Sequence, residues 1–300
     1  MTDASGRVLH VSDALTETLG WSRQEMLQKH WRRFLTLDAL PLLREAALAT
    51  NEDEDAVHEA VLPCRHSDGS VRWLQWRWRC CALEKRIYGA AQDVSLRHRH
   101  ELDLEASEAR LRFLDALEDA IRPLVSAASI MEAATRLTAW QLEASRCAYA
   151  DVEEDGDHFT IRADYVADGS ASTAGYYSLA LFGSKAVHDL KTGQPLVLNS
   201  IPEELASGDG REMFAAIGID AIICCPLIKD GRLRAMMAVH SSSRRDWTAE
   251  EVRLMQTVAN RCWAVIERVR SEAMLRASMH EWRIMADSIS QMIWVTRPDG

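Results

Sequence analysis

Residues 57–81 constrain the fold most. Leu74, Trp76, Trp78 and Cys80 alternate with Gln75, Arg77 and Arg79, a period-2 pattern with one apolar face. Successive side chains of a strand point to opposite faces, so this run predicts a sheet covered on one side. Val57 to Arg65 alternates ahead of it, and Ser67-Asp68-Gly69-Ser70 lies between. Asp-Gly between two such runs is a strong hairpin signal, because both residues tolerate positive φ. A turn near Glu84-Lys85 then leads to a further strand, Arg86 to Val94.

Upstream, Gly6-Arg7 to Val11 reads as a strand. Gly20 closes a helical turn, and Ser22-Arg23-Gln24-Glu25 is a capping box that starts another. Asp38 caps a helix running to about Ala49, and Asn51 to Asp55 forms an acidic loop.

A second sheet is expected between about Arg110 and Arg270. Cys147 to Val152 and Phe159 to Val166 are strands joined by an acidic turn, and Tyr176 to Leu181 is a third. Ser184 to Lys191 is a helix closed by Gly193. Pro195 to Ile201 is a strand and Asp209 to Ile217 a short helix. Ala221 to Ile228, the turn Lys229-Asp230-Gly231, and Arg232 to Ser241 make a hairpin. Helices mixed with a mainly antiparallel sheet give an α+β class.

Two long helices flank this region. Leu96 to Leu124 carries Leu104, Leu111, Leu114, Leu117, Ile121 and Leu124 as an imperfect heptad stripe, interrupted by Pro123. It joins the two regions without a flexible linker, as a connector able to transmit rotation or strain. Thr248 and Glu251 form a second capping box ahead of Val252, Met255, Ala259, Cys262, Ile266, Val269 and Ala273, a heptad seam. The stripe resumes in a shifted phase as Leu275, Met279, Trp282, Ala286 and Ile289. Either this helix pairs two chains into a homodimer, or its first stretch packs only on its own sheet.

Three hundred residues accommodate about two domains. A net charge of -10 argues against nucleic acid as a partner. The longest apolar run, Ala221 to Cys225, is far shorter than the ~20 residues that span a bilayer. Met1-Thr2-Asp3-Ala4 has neither basic nor apolar character of a secretion signal, so a cytoplasmic location is expected. The seven cysteines show no metal-ligand spacing and are expected as buried, reduced thiols. The chain opens on a turn and strand at Asp3-x-x-Gly6-Arg7 and closes on Trp294 to Gly300, a strand feeding a similar turn. It is therefore expected to be an internal stretch of a modular array.

The first segment resembles a PAS domain. The motifs are Asp3-x-x-Gly6-Arg7-Val8-x-x-Val11, Leu19-Gly20-Trp21-Ser22-x-x-Glu25, Asp68-Gly69-Ser70-Val71-Arg72-Trp73 and Gly89-x-x-Gln92-Asp93-Val94-Ser95. The resemblance implies that Asp93, Val94 and Ser95 hand the sheet over to an output helix, and that the family's first strand is missing. The second segment resembles a GAF domain of the phytochrome-related kind. Its motifs are Ala216-Ile217-Gly218-Ile219, Cys225-Pro226-Leu227-Ile228-x-x-Gly231-Arg232-Leu233, Ala238-Val239-His240 and Trp247-Thr248-x-Glu250-Glu251. The tail from Met285 resembles the start of another PAS domain. The expected organisation is a PAS domain at 1–96, a connecting helix at 97–125 and a GAF domain at 110–270. A long output helix at 248–290 and a second PAS domain from 285 complete it.

These resemblances imply a sensory module of a bacterial signal-transduction protein. A small ligand or partner would bias it, and helices would relay the bias to a histidine kinase output outside this chain. A cyclic-di-GMP synthase or phosphodiesterase is the alternative output. Light-type flavin chemistry needs an Asn-Cys pair, and Gln28 to Leu35 has no cysteine. Covalent bilin needs a sulfur nucleophile where Asp209-Gly210 stands. The cofactor is left open. Candidate ligand contacts are Tyr176, His188, Asn199 and His240. For His240 the competing reading is a solvated or hydrogen-bonded strand-end histidine. A thiol-dependent methionine sulfoxide reductase using Cys147, Cys224 and Cys225 is a separate enzymatic alternative, weakened by the expected burial of those thiols. Otherwise no catalytic or metal constellation stands out.

Overall fold

The Asp68-Gly69 turn joins two long strands as its residues demand, with Gly69 at φ 90°. The computed structural model describes residues 1–48, 57–81, 83–167 and 171–288. These form two units, Met1–Ala109 and Arg110–Gly300.

The first unit contains β1 (Thr2–Asp3), α1 (Asp13–Leu19), α2 (Arg23–Met26), a 3-10 turn at Trp31–Phe34 and α3 (Ala39–Leu48). β2 (Val57–Arg65), β3 (Val71–Cys81) and β4 (Arg86–Asp93) follow. The sheet is antiparallel in the order β1-β4-β3-β2. Gly20 adopts the left-handed conformation at the end of α1, and the Ser22–Glu25 capping box starts α2. Leu19, Met26, Phe34, Leu62 and Leu74 form the core.

The strand expected at Arg7–Val11 does not form. Asp3 accepts the backbone N–H groups of Ser5 and Arg7, and Gly6 at φ 86° folds the chain back. Arg7 and Val8 make only isolated bridges, to His30 and Thr2. Their backbone groups are taken by this turn and by Gln28–Trp31, and the two-residue β1 pairs with β4 instead.

α4 (Ser95–Ile121) begins after β4. The second unit continues with α5 (Ala127–Gln141), β5 (Arg146–Val152), β6 (His158–Val166), β7 (Gly175–Ser178), a 3-10 turn at Leu179–Phe182, and α6 (Ser184–Lys191). Then come β8 (Leu196–Leu198), α7 (Ile201–Glu204), α8 (Arg211–Ala216), β9 (Ala221–Lys229), β10 (Arg232–Ser241) and α9 (Ala249–Ser288). The antiparallel sheet runs β7-β6-β5-β10-β9-β8. The third strand ends at Ser178 rather than Leu181, and α5 and α7 were not anticipated.

This sheet is buried on both faces. Cys147, Tyr149, Cys225, Met237 and Val239 pack against α5, α9 and the Leu114–Ile121 end of α4. Ala148, Ala150, Cys224, Met236 and Ala238 face α6, α7 and α8. Adjacent Cys224 and Cys225 therefore face opposite layers. Cys64, Cys147 and Cys262 are also buried, but Cys80 is exposed and Cys81 half-exposed, near the end of β3 where little covers the sheet.

The Thr248–Glu251 capping box starts α9 as expected. Met255, Ala259, Cys262 and Ile266 of its heptad pack inside their own unit. Arg270 Nη1 and Nη2 donate to Asp151 of β5 at 2.9 and 2.7 Å, a bidentate staple between helix and sheet. Past Arg270 the burial ends: Leu275, Met279 and Trp282 are exposed. Ile289 and nearly all of the expected second PAS domain lie outside the described residues, as does the acidic loop Asn51–Asp55. Among the described residues no helix is long and apolar enough to cross a membrane, and no group of side chains could hold a metal ion.

Candidate functional site

Each unit encloses a cavity against one face of its sheet. In the second unit the cavity holds about 60 Å³ and is lined mainly by apolar side chains, among them Phe159, Phe182, Phe214 and Met236. On the scale where ~10–15 Å³ admits one water, it has room for roughly four waters. Beside it, Gly183 and Gly210 both have positive φ and pack backbone to backbone, where a Cβ on either would collide. Asp209 accepts from Ser184 N–H at 2.6 Å and from its hydroxyl at 2.8 Å, and these bonds hold its carboxyl below the usual range. The Asp209-Gly210 pair is thus part of a clasp beside the cavity.

Thr173 and His240 are polar residues among the cavity's lining, but nearly all of the surface it exposes is apolar. His240 is 5% exposed on β10, directly across the ladder from Arg146 of β5, which is 4% exposed. On this face the sheet otherwise presents Ala148, Ala150, Met236 and Ala238. Burial, then the Arg146 charge, lower the His240 pKa to about 3, so its imidazole is neutral. His240 Nδ1 and Arg146 Nε are buried with no hydrogen-bond partner. Arg146 Nη1 donates to the Ile217 carbonyl at 2.9 Å.

The other candidates separate. Tyr176 is exposed and stacks on His158 at 5.4 Å, while its neighbour Tyr177 turns inward toward Phe159. His188 is exposed on α6. Asn199 Oδ1 accepts from Trp247 N–H at 2.8 Å, and its carbonyl accepts from Arg245 N–H, so it anchors the segment leading into α9. Of the four, only His240 lines the cavity. Arg146 was missed; a lone charge opening an apolar strand is a faint signal until the strand pairing is known.

The first unit's cavity is larger, about 240 Å³, and is lined by Trp31, Trp76, Trp78, His10, Leu15 and Ile87 among others. Trp76 and Trp78 sit on one face of β3. Trp73, on the opposite face of the same strand, fastens α4. Val94 N–H donates to the Trp73 carbonyl at 2.9 Å. Trp73 N–H donates to Ser95 Oγ at 2.8 Å, and Ser95 N–H to Asp93 Oδ1 at 2.8 Å. The Trp73 and His98 rings lie 4.1 Å apart. Asp93 therefore makes a local cap, and Ser95 with Val94 makes the link to the sheet.

Comparison with known proteins agrees with this division. Residues 8–87 match the PAS fold and residues 126–266 match the GAF domain. The chain carries one PAS and one GAF domain, both sensory and signalling folds. No curated protein matches. Among solved structures, the phycoerythrobilin-bound GAF domain of a cyanobacterial phytochrome aligns at 16% identity and a TM-score of 0.48, over 56% of this chain and 99% of that one. The chromophore-binding domain of an unusual bacteriophytochrome from R. palustris aligns at 12% identity and 0.46, over 90% and 91%. A GAF domain from an Acinetobacter phosphoenolpyruvate-protein phosphotransferase aligns at 13% identity and 0.44, over 55% and 96%.

Proposed function

We propose that this chain is a ligand-sensing module in which each sheet separates a cavity from a helix and carries the state of one to the other. One observation carries this reading. The strands that wall the cavities are the strands to which α4 and α9 are fastened: β3 through Trp73, and β5 through the Asp151–Arg270 staple. A ligand can shift such an equilibrium only by its differential affinity for the two states. The output is a histidine kinase in a phosphorelay, with a cyclic-di-GMP enzyme as the alternative. A second copy of this chain pairs along the exposed apolar residues of α9, which continue past the part of the heptad used inside the unit.

The thiol reductase reading has less support. A reductase needs an accessible thiolate. Burial raises the pKa of the Cys225 thiol to about 12 and that of Cys224 higher still.

The test uses 5-fluorotryptophan in place of the ten tryptophans. The chain is compared as purified and after any bound small molecule, identified by native mass spectrometry, has been stripped. Fluorine resonances of Trp73 and of Trp263 on α9 are expected to move, while Trp140, on the outer surface of α5, stays in place. Movement confined to Trp31, Trp76 and Trp78 would mean that binding stops at the cavity wall.

A further inference from the structure

We propose that the PAS unit binds an arylalkylamine, a flat aromatic ring carrying an ammonium group on a tether of two or three carbons. The ring lies against the tryptophans of the wide cavity, and the ammonium meets Asp93. The inference rests on the sensory reading and deepens it by naming the ligand class at the PAS site.

The aromatic cavity does not end at Trp76. A second hollow of about 260 Å³ adjoins it and shares Ser12, Leu15, Trp76 and Gly89 as walls. Between Ile87 and Asp93, β4 turns only Gly89 and Ala91 toward this side, opposite Trp78 and Trp76, so no large side chain of that strand fills the space. Asp93, which is exposed, lines the hollow at the end of β4 nearest α4. Its Oδ1 accepts from Ser95 N–H at 2.8 Å, while among the described residues Oδ2 receives no hydrogen bond and the side chain forms no ion pair. Arg72, on the same face of β3, lines neither hollow. The basic groups in the walls, His10 and the Met1 amine, belong to the wide cavity alone, and that amine already donates to the His10 carbonyl at 3.0 Å.

These groups suit a cation. A carboxylate with a free oxygen accepts a charge-assisted hydrogen bond from an ammonium and repels an anion. The electron-rich faces of tryptophan hold both an aromatic ring and a positive charge beside it. The spacing sets the tether. Trp76 stands across the ladder from Ala91, two residues from Asp93, which is about 7 Å along the strand. A ring on Trp76 therefore reaches Asp93 through two or three carbons. The wide cavity accommodates roughly 16 non-hydrogen atoms on the water-equivalent scale, enough for one or two fused rings. The GAF cavity, with room for roughly four, is too small for them. Because Oδ1 caps the first turn of α4, the ammonium sits on the residue from which that helix starts.

Titration calorimetry of the intact chain with tryptamine tests this, with indole, n-hexylamine and indole-3-propionate as controls. Tryptamine is expected to bind saturably, indole and n-hexylamine at least about threefold more weakly, and indole-3-propionate not at all. Asp93→Asn keeps an oxygen for the Ser95 cap and should weaken tryptamine about three- to tenfold while leaving indole unchanged. Equal binding of any control, no binding of tryptamine, or tryptamine affinity unchanged in Asp93→Asn would each overturn the proposal. Should Asp93→Asn fail to fold, the unmodified chain decides. Ring protons of tryptamine should show nuclear Overhauser contacts to Leu15 and Trp76, and its methylene protons to Ala91. Contacts elsewhere overturn the assignment. If tryptamine binds there but Trp73 does not respond, the site stands and the sensory reading falls. If Trp73 responds to another bound molecule while tryptamine fails, the reverse holds.

Discussion

The two cavities are built on different terms. The GAF sheet is covered on both faces, and its cavity is small and almost wholly apolar. The PAS sheet has little over β4, whose side chains are exposed except Ile87, and its cavity is wider and aromatic. A small apolar cavity selects by volume, because each methylene counts. A wider aromatic one selects by shape and stacking and tolerates more guests. The GAF unit should therefore be the more exacting sensor and the more sensitive to substitution.

Core truncation gives the largest contrast. Phe214→Ala should cost the GAF unit about 3–5 kcal/mol, whereas Leu15→Ala on the half-open PAS wall should cost about half that or less. Denaturant titration of each variant checks both. Equal costs would mean that the PAS cavity is as closely packed as the GAF cavity.

Acid gives the next largest. The unfolded chain protonates His240 near 6.5, whereas the folded chain does so only near 3. The resulting stability is complete above pH 6.5 and is lost as pH falls toward 3, at about 1.4 kcal/mol per unit. Arg146 reinforces this, while Asp164 is the nearby acid. His240→Gln should remove that slope from the GAF transition and leave the PAS transition unchanged. An unaltered slope would place the acid sensitivity elsewhere.

Smaller effects probe the helices. Ser95→Ala removes the hydroxyl that receives Trp73 N–H and should cost about 1 kcal/mol, with faster amide exchange in the first turns of α4. Leu275→Ser with Met279→Ser should change the unfolding free energy of the single chain by less than about 0.5 kcal/mol, while shifting any dimer toward monomer in sedimentation. A large loss of single-chain stability would show that these residues are packed within one molecule.

Much of the fold was legible because its signals are local. The Asp68-Gly69 and Asp230-Gly231 turns, both capping boxes and the Leu74–Trp76 face are set by residues close in sequence. The alternating face did not bury Cys80, because alternation fixes a side but not what covers it. Arg7–Val11 looked like a strand until the Asp3 side chain captured the backbone beside it. α5 passed unseen because alanines, among them Ala133, Ala134 and Ala139, dilute the stripe carried by Ile130, Met131 and Leu137. The site was least legible. Tyr176 was chosen over Tyr177 by one residue of strand parity, and Arg146 meets His240 only through the pairing of strands far apart in sequence.

The role of a sheet as carrier between cavity and helix is tested most directly by amide hydrogen exchange across Val252–Val269 of the intact chain. It is measured on the chain carrying a bound small molecule, identified by native mass spectrometry, and after that molecule has been stripped. Several-fold slower exchange there and in β10 in the bound form is the expected result. A bound molecule with unchanged exchange along α9 would contradict it.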